Sequence, residues 1–166
     1  RILRDAQRAR ELGSQATIVS LHWGTEKDSN ANSMQTSIAD ELTASGLVDL
    51  IVGHHAHVVQ PTNQVNGVWV MYGLGNVLSN LPTDERWPAN SQDAAIATIK
   101  LTKRPSGKIS FDRPQVMPTW VDKGNGWVIR DVLAMLSDPK TDFGTARELE
   151  LSLGRTTRVL GDFISG

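Results

Sequence analysis

Apolar residues recur three and four positions apart at Ile2, Leu3, Ala6, Ala9 and Leu12, set among charged neighbours, and Gly13 follows. A stripe of that period predicts an amphipathic helix over Arg1 to Leu12, stopped by a glycine able to take the left-handed conformation of a helix C-terminus. The period then shortens: Ala16 to Leu21 (ATIVSL) is a β-branched run that predicts a buried strand, with His22 at its end. After a polar loop, Asn32 and Gln35 have the spacing of a capping box, and Met34, Ile38 and Leu42 recur every four residues. These features predict a second helix, ended by Gly46. Val48 to Val52 (VDLIV) predicts a second strand, which runs through Gly53 into His54, His55, Ala56 and His57.

A strand, helix, strand order makes a right-handed crossover between parallel strands, so both strand C-termini reach one sheet edge. Loops and helix N-termini gather at that edge, and ligands bind there in open α/β sheets. His22 and the later histidines are therefore expected to face one another.

Beyond Pro61 the pattern turns to β. Asn66-Gly67 predicts a type I′ hairpin turn before a strand over Val68 to Tyr72, and Gly73-Leu74-Gly75-Asn76 a tight loop. Ala94 to Leu101 and Lys108 to Phe111 flank Pro105-Ser106-Gly107 as a second hairpin; Val116 to Val121 and Trp127 to Leu133 predict more strand. Thr141 to Leu160 is helical in pattern, with Leu149, Leu153, Val159 and Leu160 for packing and Gly144 and Gly154 as interruptions. The polar stretches Pro82 to Asp93 and Ser137 to Asp142 are the linker candidates, and no internal repeat is visible.

With 166 residues, the chain has room for one domain or a piece of one. It starts at Arg1, inside a helical stretch and without Met, which suggests a fragment. Seventeen basic residues balance eighteen acidic ones, so no global positive field exists to hold a polyanion, and nucleic acid is not expected as a partner. The absence of cysteine excludes disulfides, thiolate metal sites and a thiol nucleophile. Apolar runs are too short to span a bilayer, so any anchor lies outside this chain.

All four histidines stand at the two strand ends. Imidazole is the commonest ligand for zinc, iron and manganese, and strand alternation would send His55 and His57 to one side and His54 to the other. His22, His55 and His57 are therefore the candidate metal ligands. His54 is either a ligand or a partner orienting one, and Glu26, four residues past His22, is a candidate general acid, ligand or orienter; these two are the candidate catalytic groups. Asn76 and Trp23 are further candidates, the first standing against a plain turn residue and the second against a packing residue. Asp28 and Asp49 are weaker. No P-loop or nucleophile elbow competes, and Gly73-Leu74-Gly75 lacks the third glycine of a dinucleotide fingerprint.

Three segments carry a family resemblance: Leu21-His22-Trp23-Gly24-Thr25-Glu26, then Gly53-His54-His55-Ala56-His57-Val58-Val59-Gln60, then Tyr72-Gly73-Leu74-Gly75-Asn76. In order and spacing they resemble the C-terminal half of CapA-type domains of bacterial capsule and poly-γ-glutamate biosynthesis, similar to the calcineurin-like metallophosphatases. The resemblance is clear over 1–123, with 124–166 as a C-terminal extension of one domain. It implies an α/β fold, part of an α/β/β/α sandwich with a parallel βαβ unit followed by hairpins and a C-terminal helix. It also implies two divalent metals of the Mn, Fe or Zn type in the intact domain, His22 and His55 on one and His57 on the other, serving phosphoester hydrolysis.

The family's N-terminal Gly-Asp and Asn-Asn-His elements are absent, Ala56 replaces the usual proline, and Lys27 an aromatic residue. This chain alone is therefore expected to be inactive. Implied partners are the N-terminal half of the domain, membrane-bound capsule or polyglutamate synthesis machinery, and an anionic polymer or phosphoester. The implied place is the extracytoplasmic cell envelope, reached through a membrane segment outside this chain. The alternative is a non-catalytic assembly component that keeps the fold. Cutting the sandwich exposes a sheet edge, which self-association would cover.

Overall fold

The computed structural model describes residues 1–165; Gly166, the last residue of the expected 1–166 domain, lies outside the described residues. Helix α1 (Ile2–Glu11), strand β1 (Ile18–His22), helix α2 (Ser33–Ala44) and strand β2 (Leu50–His54) form the expected crossover unit. The hairpin of β3 (Thr62–Val65) and β4 (Val68–Met71) completes a sheet of order β1-β2-β4-β3. Strands β1, β2 and β4 are parallel and β3 is antiparallel. Asn66 and Gly67 both have positive φ, at 49° and 80°, as a type I′ turn requires.

Strand β5 (Asp93–Thr98) pairs antiparallel with β8 (Gln115–Asp122), which pairs with β9 (Val128–Asp131) in a second sheet. Strands β6 (Leu101–Lys103) and β7 (Ile109–Phe111) stand apart as a hairpin. Helices α3 (Val132–Ser137) and α4 (Phe143–Leu160) close the chain. The result is a mixed α/β fold with a parallel-strand sheet and a C-terminal helix, compatible with a metallophosphatase-like fold. No helix among the described residues is long and apolar enough to cross a membrane.

The first core joins α1 and α2 to the first sheet through Trp23, Ala39, Leu42, Val48, Ile51, Val70 and Tyr72. Around the second sheet, Val59, Ala95, Val116 and Leu160 make one cluster, and Trp120, Val132 and Leu149 another. Gly75 bridges to Ala94 and so links the end of the first sheet to the second.

Several expectations are corrected. Strand β1 is not buried: Ile18, Ser20 and His22 are exposed, because β1 is an edge strand hydrogen-bonded to β2 alone among the described residues. The buried face of α2 is Gln35, Ala39, Leu42 and Thr43; of the expected stripe, Leu42 is buried and Ile38 packs against the core, but Met34 is 52% exposed. Ala94 to Leu101 is not one arm of a hairpin. Its first part pairs with β8, and only Leu101 onward pairs with β7. Val132 and Leu133 belong to a helix because the Asp131 side chain accepts the Ala134 amide and caps it. Gly144 and Gly154 do not interrupt α4, which runs unbroken behind its Asp142 cap; a glycine inside a helix costs about 1 kcal/mol, too little to break one anchored by buried Leu149 and Leu160.

Gln35 can be buried because both the oxygen and the nitrogen of its side-chain amide are hydrogen-bonded. The Asn32 side chain accepts the Gln35 amide hydrogen at 2.9 Å, and Gln35 Oε1 accepts the Asn32 N–H at 3.0 Å. Gln35 Nε2 donates to Gln60 Oε1 at 2.8 Å, and Gln60 Nε2 donates to the carbonyls of Asp28 and Asn30 at 2.9 and 3.0 Å. This chain of bonds staples the loop carrying Glu26 to the start of α2 and to the segment after His57. Replacing Gln60 by Ala strands the Gln35 amide and two loop carbonyls, so a loss of about 2 kcal/mol is expected in urea unfolding.

Candidate metal centre

In the parallel register His22 lies opposite His54, so both strands deliver an imidazole to the same sheet edge. Gly53 makes this edge possible. A Cβ there would sit 1.9 Å from the Tyr72 carbonyl oxygen and 2.2 Å from Trp23 Nε1. With no side chain in the way, the Trp23 indole stacks on Tyr72 with centroids 5.6 Å apart and donates to the Tyr72 carbonyl at 2.9 Å. Trp23 is 5% exposed and belongs to the packing beneath the centre.

After His54 the chain leaves the sheet. His55 and His57 have φ of 99° and 60°, so they are not on extended backbone, and strand alternation does not explain their convergence. Left-handed turns at two non-glycine residues do, at a conformational cost of about 1–3 kcal/mol each. His54, expected to point away, lines the same cleft of about 210 Å³ as His22, His55, His57 and Asn76, because alternation ends with the strand. The rings of His22 and His55 lie 4.4 Å apart and those of His55 and His57 6.1 Å apart.

Glu26, His55 and His57 each bring one ligand atom within 4.8 Å of the others. Ligands on one zinc-sized ion, with bonds of about 2.1 Å, lie within about 4.2 Å, so small side-chain rotations bring these three onto an ion. Imidazole nitrogen with carboxylate oxygen is a donor set suited to zinc, manganese or iron, and the residues fit such an ion.

Asn76 holds His57 in one tautomer. Its Nδ2 donates to the His57 carbonyl at 3.4 Å, which turns Oδ1 toward the ring, 3.0 Å from Nδ1. An amide oxygen only accepts, so Nδ1 carries a proton, and in the neutral ring Nε2 bears the lone pair, 3.9 Å from Glu26 Oε1. Asn76→Ala frees the ring and its tautomer, and a loss of about tenfold in Mn²⁺ affinity is expected by calorimetry.

The sequence reading missed Trp87. Its ring meets His57 edge-on at 5.4 Å and carries the Lys27 ammonium 4.6 Å from its centroid, while the Lys27 N–H donates to the Ala56 carbonyl at 2.8 Å. No local signal marks Trp87, thirty residues away in a polar loop. Gln60 was within reach, standing three residues past His57. Asp28 serves a turn, accepting the Asn30 N–H at 2.9 Å. Asp49 lies at the opposite end of β2, paired with Arg10 and accepting the Thr17 N–H at 2.7 Å.

A family model described as bacterial capsule synthesis protein PGA_cap matches residues 1–81. The chain is similar to the PGA biosynthesis protein CapA of Bacillus subtilis (strain 168), 35% identical over 91 residues, 55% of this chain and 22% of that protein. It is also similar to the capsule biosynthesis protein CapA of Bacillus anthracis, 31% identical over 108 residues, 65% of this chain and 24% of that protein. The alignments thus span under a quarter of either relative.

Proposed function

We propose that this chain, whose residues 1–81 match a family model of bacterial capsule synthesis proteins, carries the histidine side of a metal-dependent phosphoester hydrolase centre serving capsule or poly-γ-glutamate synthesis. The family implies a role at the cell envelope. The observation that carries the catalytic reading is the convergence of Glu26, His55 and His57, with His22 ring-to-ring beside His55.

His55, His57 and Glu26 would hold a divalent ion, with His22 supplying a ligand for the same or a second one. Such an ion supplies Lewis acidity toward a phosphoryl oxygen. Asn76, bonded at Nδ1, aims His57 Nε2 into the cleft, and His54, exposed on the rim, would move a proton to or from a leaving group. Glu26 is the single carboxylate of the cluster. Further carboxylates from the N-terminal half of the domain would complete a two-metal centre, and membrane-bound synthesis machinery is the proposed setting.

Calorimetric titration of the chain with Mn²⁺ and Zn²⁺, followed by hydrolysis of p-nitrophenyl phosphate with and without metal, tests this. Metal binding that raises hydrolysis, even weakly, is the expected result. Metal binding without turnover, also when the rest of the domain is present, favours the non-catalytic assembly role; no metal binding in either form sinks the reading.

A further inference from the structure

The near-neutral total charge conceals a local imbalance. Lys100, Lys103, Arg104, Lys108 and Arg113 are five of the seventeen basic residues, and they fall within fourteen positions that hold one acidic residue, Asp112. The segment is the β6–β7 hairpin with its flanks, and all five basic residues are exposed. None of the five takes part in an ion pair among the described residues.

Beside this hairpin runs a groove of about 460 Å³, bordered by Arg104, Lys108 and Ser110 on one side and by Asn66, Val68 and Trp69 on the other. Asp49 also lines it, but its carboxylate is already engaged by Arg10 and the Thr17 amide. The cationic wall continues past Trp69. That ring meets Phe163 edge-on at 5.7 Å, and the Arg113 guanidinium lies 4.5 Å over Phe163. The groove opens where β2 and β4 begin, at the opposite edge of the sheet from the histidines.

The geometry points to this groove as a binding site for a linear polycarboxylate, with Arg104 and Lys108 as its principal contacts. Spaced point charges on a hairpin, with no enclosed pocket for one anion, suit a repeating ligand: each exposed pair is weak by itself, and affinity comes from making several at once. Only the choice of carboxylate polymer over other polyanions rests on the capsule-synthesis reading; the groove and its charge do not depend on the metal centre.

Fluorescence anisotropy of labelled poly-γ-glutamate, titrated with the chain, tests the inference. Free glutamate, neutral dextran, duplex DNA and phosphatidylcholine vesicles containing phosphatidylserine serve as competitors. Binding is expected to be competed away by added unlabelled poly-γ-glutamate but not by free glutamate or dextran, and to weaken about tenfold between roughly 50 and 200 mM salt. Arg104→Glu with Lys108→Glu should weaken it at least about tenfold with circular dichroism unchanged, and Arg104→Lys with Lys108→Arg should preserve it. A variant lacking His55 and His57 should bind polymer normally, so a failed metal centre and a failed groove are told apart. Polymer binding unchanged by charge reversal, or competition by DNA or vesicles stronger than by polymer at equal charge, overturns the proposal.

Discussion

Replacing His55 and His57 together by glycine is expected to lower Mn²⁺ affinity at least about 100-fold while leaving the protein as stable as before, or more so. The two halves of this expectation have separate causes. Both residues occupy positive φ, which glycine adopts without a Cβ penalty, so the loop loses strain of the order of 1 kcal/mol per residue. Each is only partly buried, so little packing is lost. The same change removes two of the three groups whose ligand atoms lie within 4.8 Å of one another, leaving Glu26 without its neighbours. Calorimetry and thermal unfolding on the same pair of proteins read the two effects. Strained backbone retained at residues that contribute little to stability is the pattern of a functional site, and a double variant that binds Mn²⁺ like the parent would remove that interpretation.

Arg155→Met is expected to cost about 3 kcal/mol in urea unfolding at neutral pH. Asp93 opens β5 at 1% exposure, and Arg155 reaches down from α4 to hold both its oxygens, Nε at 2.6 Å and Nη2 at 2.8 Å. The pair ties the C-terminal helix to the second sheet. Removing the guanidinium leaves a buried carboxylate unpaired, and the Arg155 side chain, 21% exposed, leaves enough room for water to keep the cost at the lower end of the usual range of about 3–5 kcal/mol.

A pH dependence follows. Burial pushes the Asp93 carboxyl above its ordinary value, and the Arg155 guanidinium opposes that rise. A carboxyl raised in the folded state favours folding while protonated and loses that contribution as pH rises through its folded pKa. Without Arg155 the rise is larger. The deficit of the variant should therefore shrink as pH falls through the raised Asp93 value, above the ordinary 3.8, and be fully expressed at neutral pH. Asp93→Asn added to Arg155→Met should recover part of the loss and flatten the pH dependence; a deficit that stays constant from neutral to acid pH would show that packing, not the stranded charge, accounts for it.

What the sequence determined by itself is local. The I′ turn at Asn66-Gly67, the capping box of Asn32 and Gln35, the crossover unit and the gathering of all four histidines at one sheet edge follow from short-range spacing and chain handedness, which need no knowledge of distant neighbours. Tertiary structure decided the rest. Whether β1 is buried depends on how many strands flank it, and which face of α2 turns inward depends on Gln60 supplying a partner for Gln35, twenty-five residues away. Ala94 to Leu101 looked like one arm of a hairpin because the turn after it is strong, yet five of its positions, Ala94 to Thr98, found a longer partner in β8. The histidines meet through left-handed turns rather than strand alternation, and Asn76, Glu26 and Trp87 come to His57 from three separate segments. Side-chain period encodes the face a residue prefers; only the closed fold settles which partners are present on that face, because burial and hydrogen-bond satisfaction are properties of contacts between segments far apart in the chain.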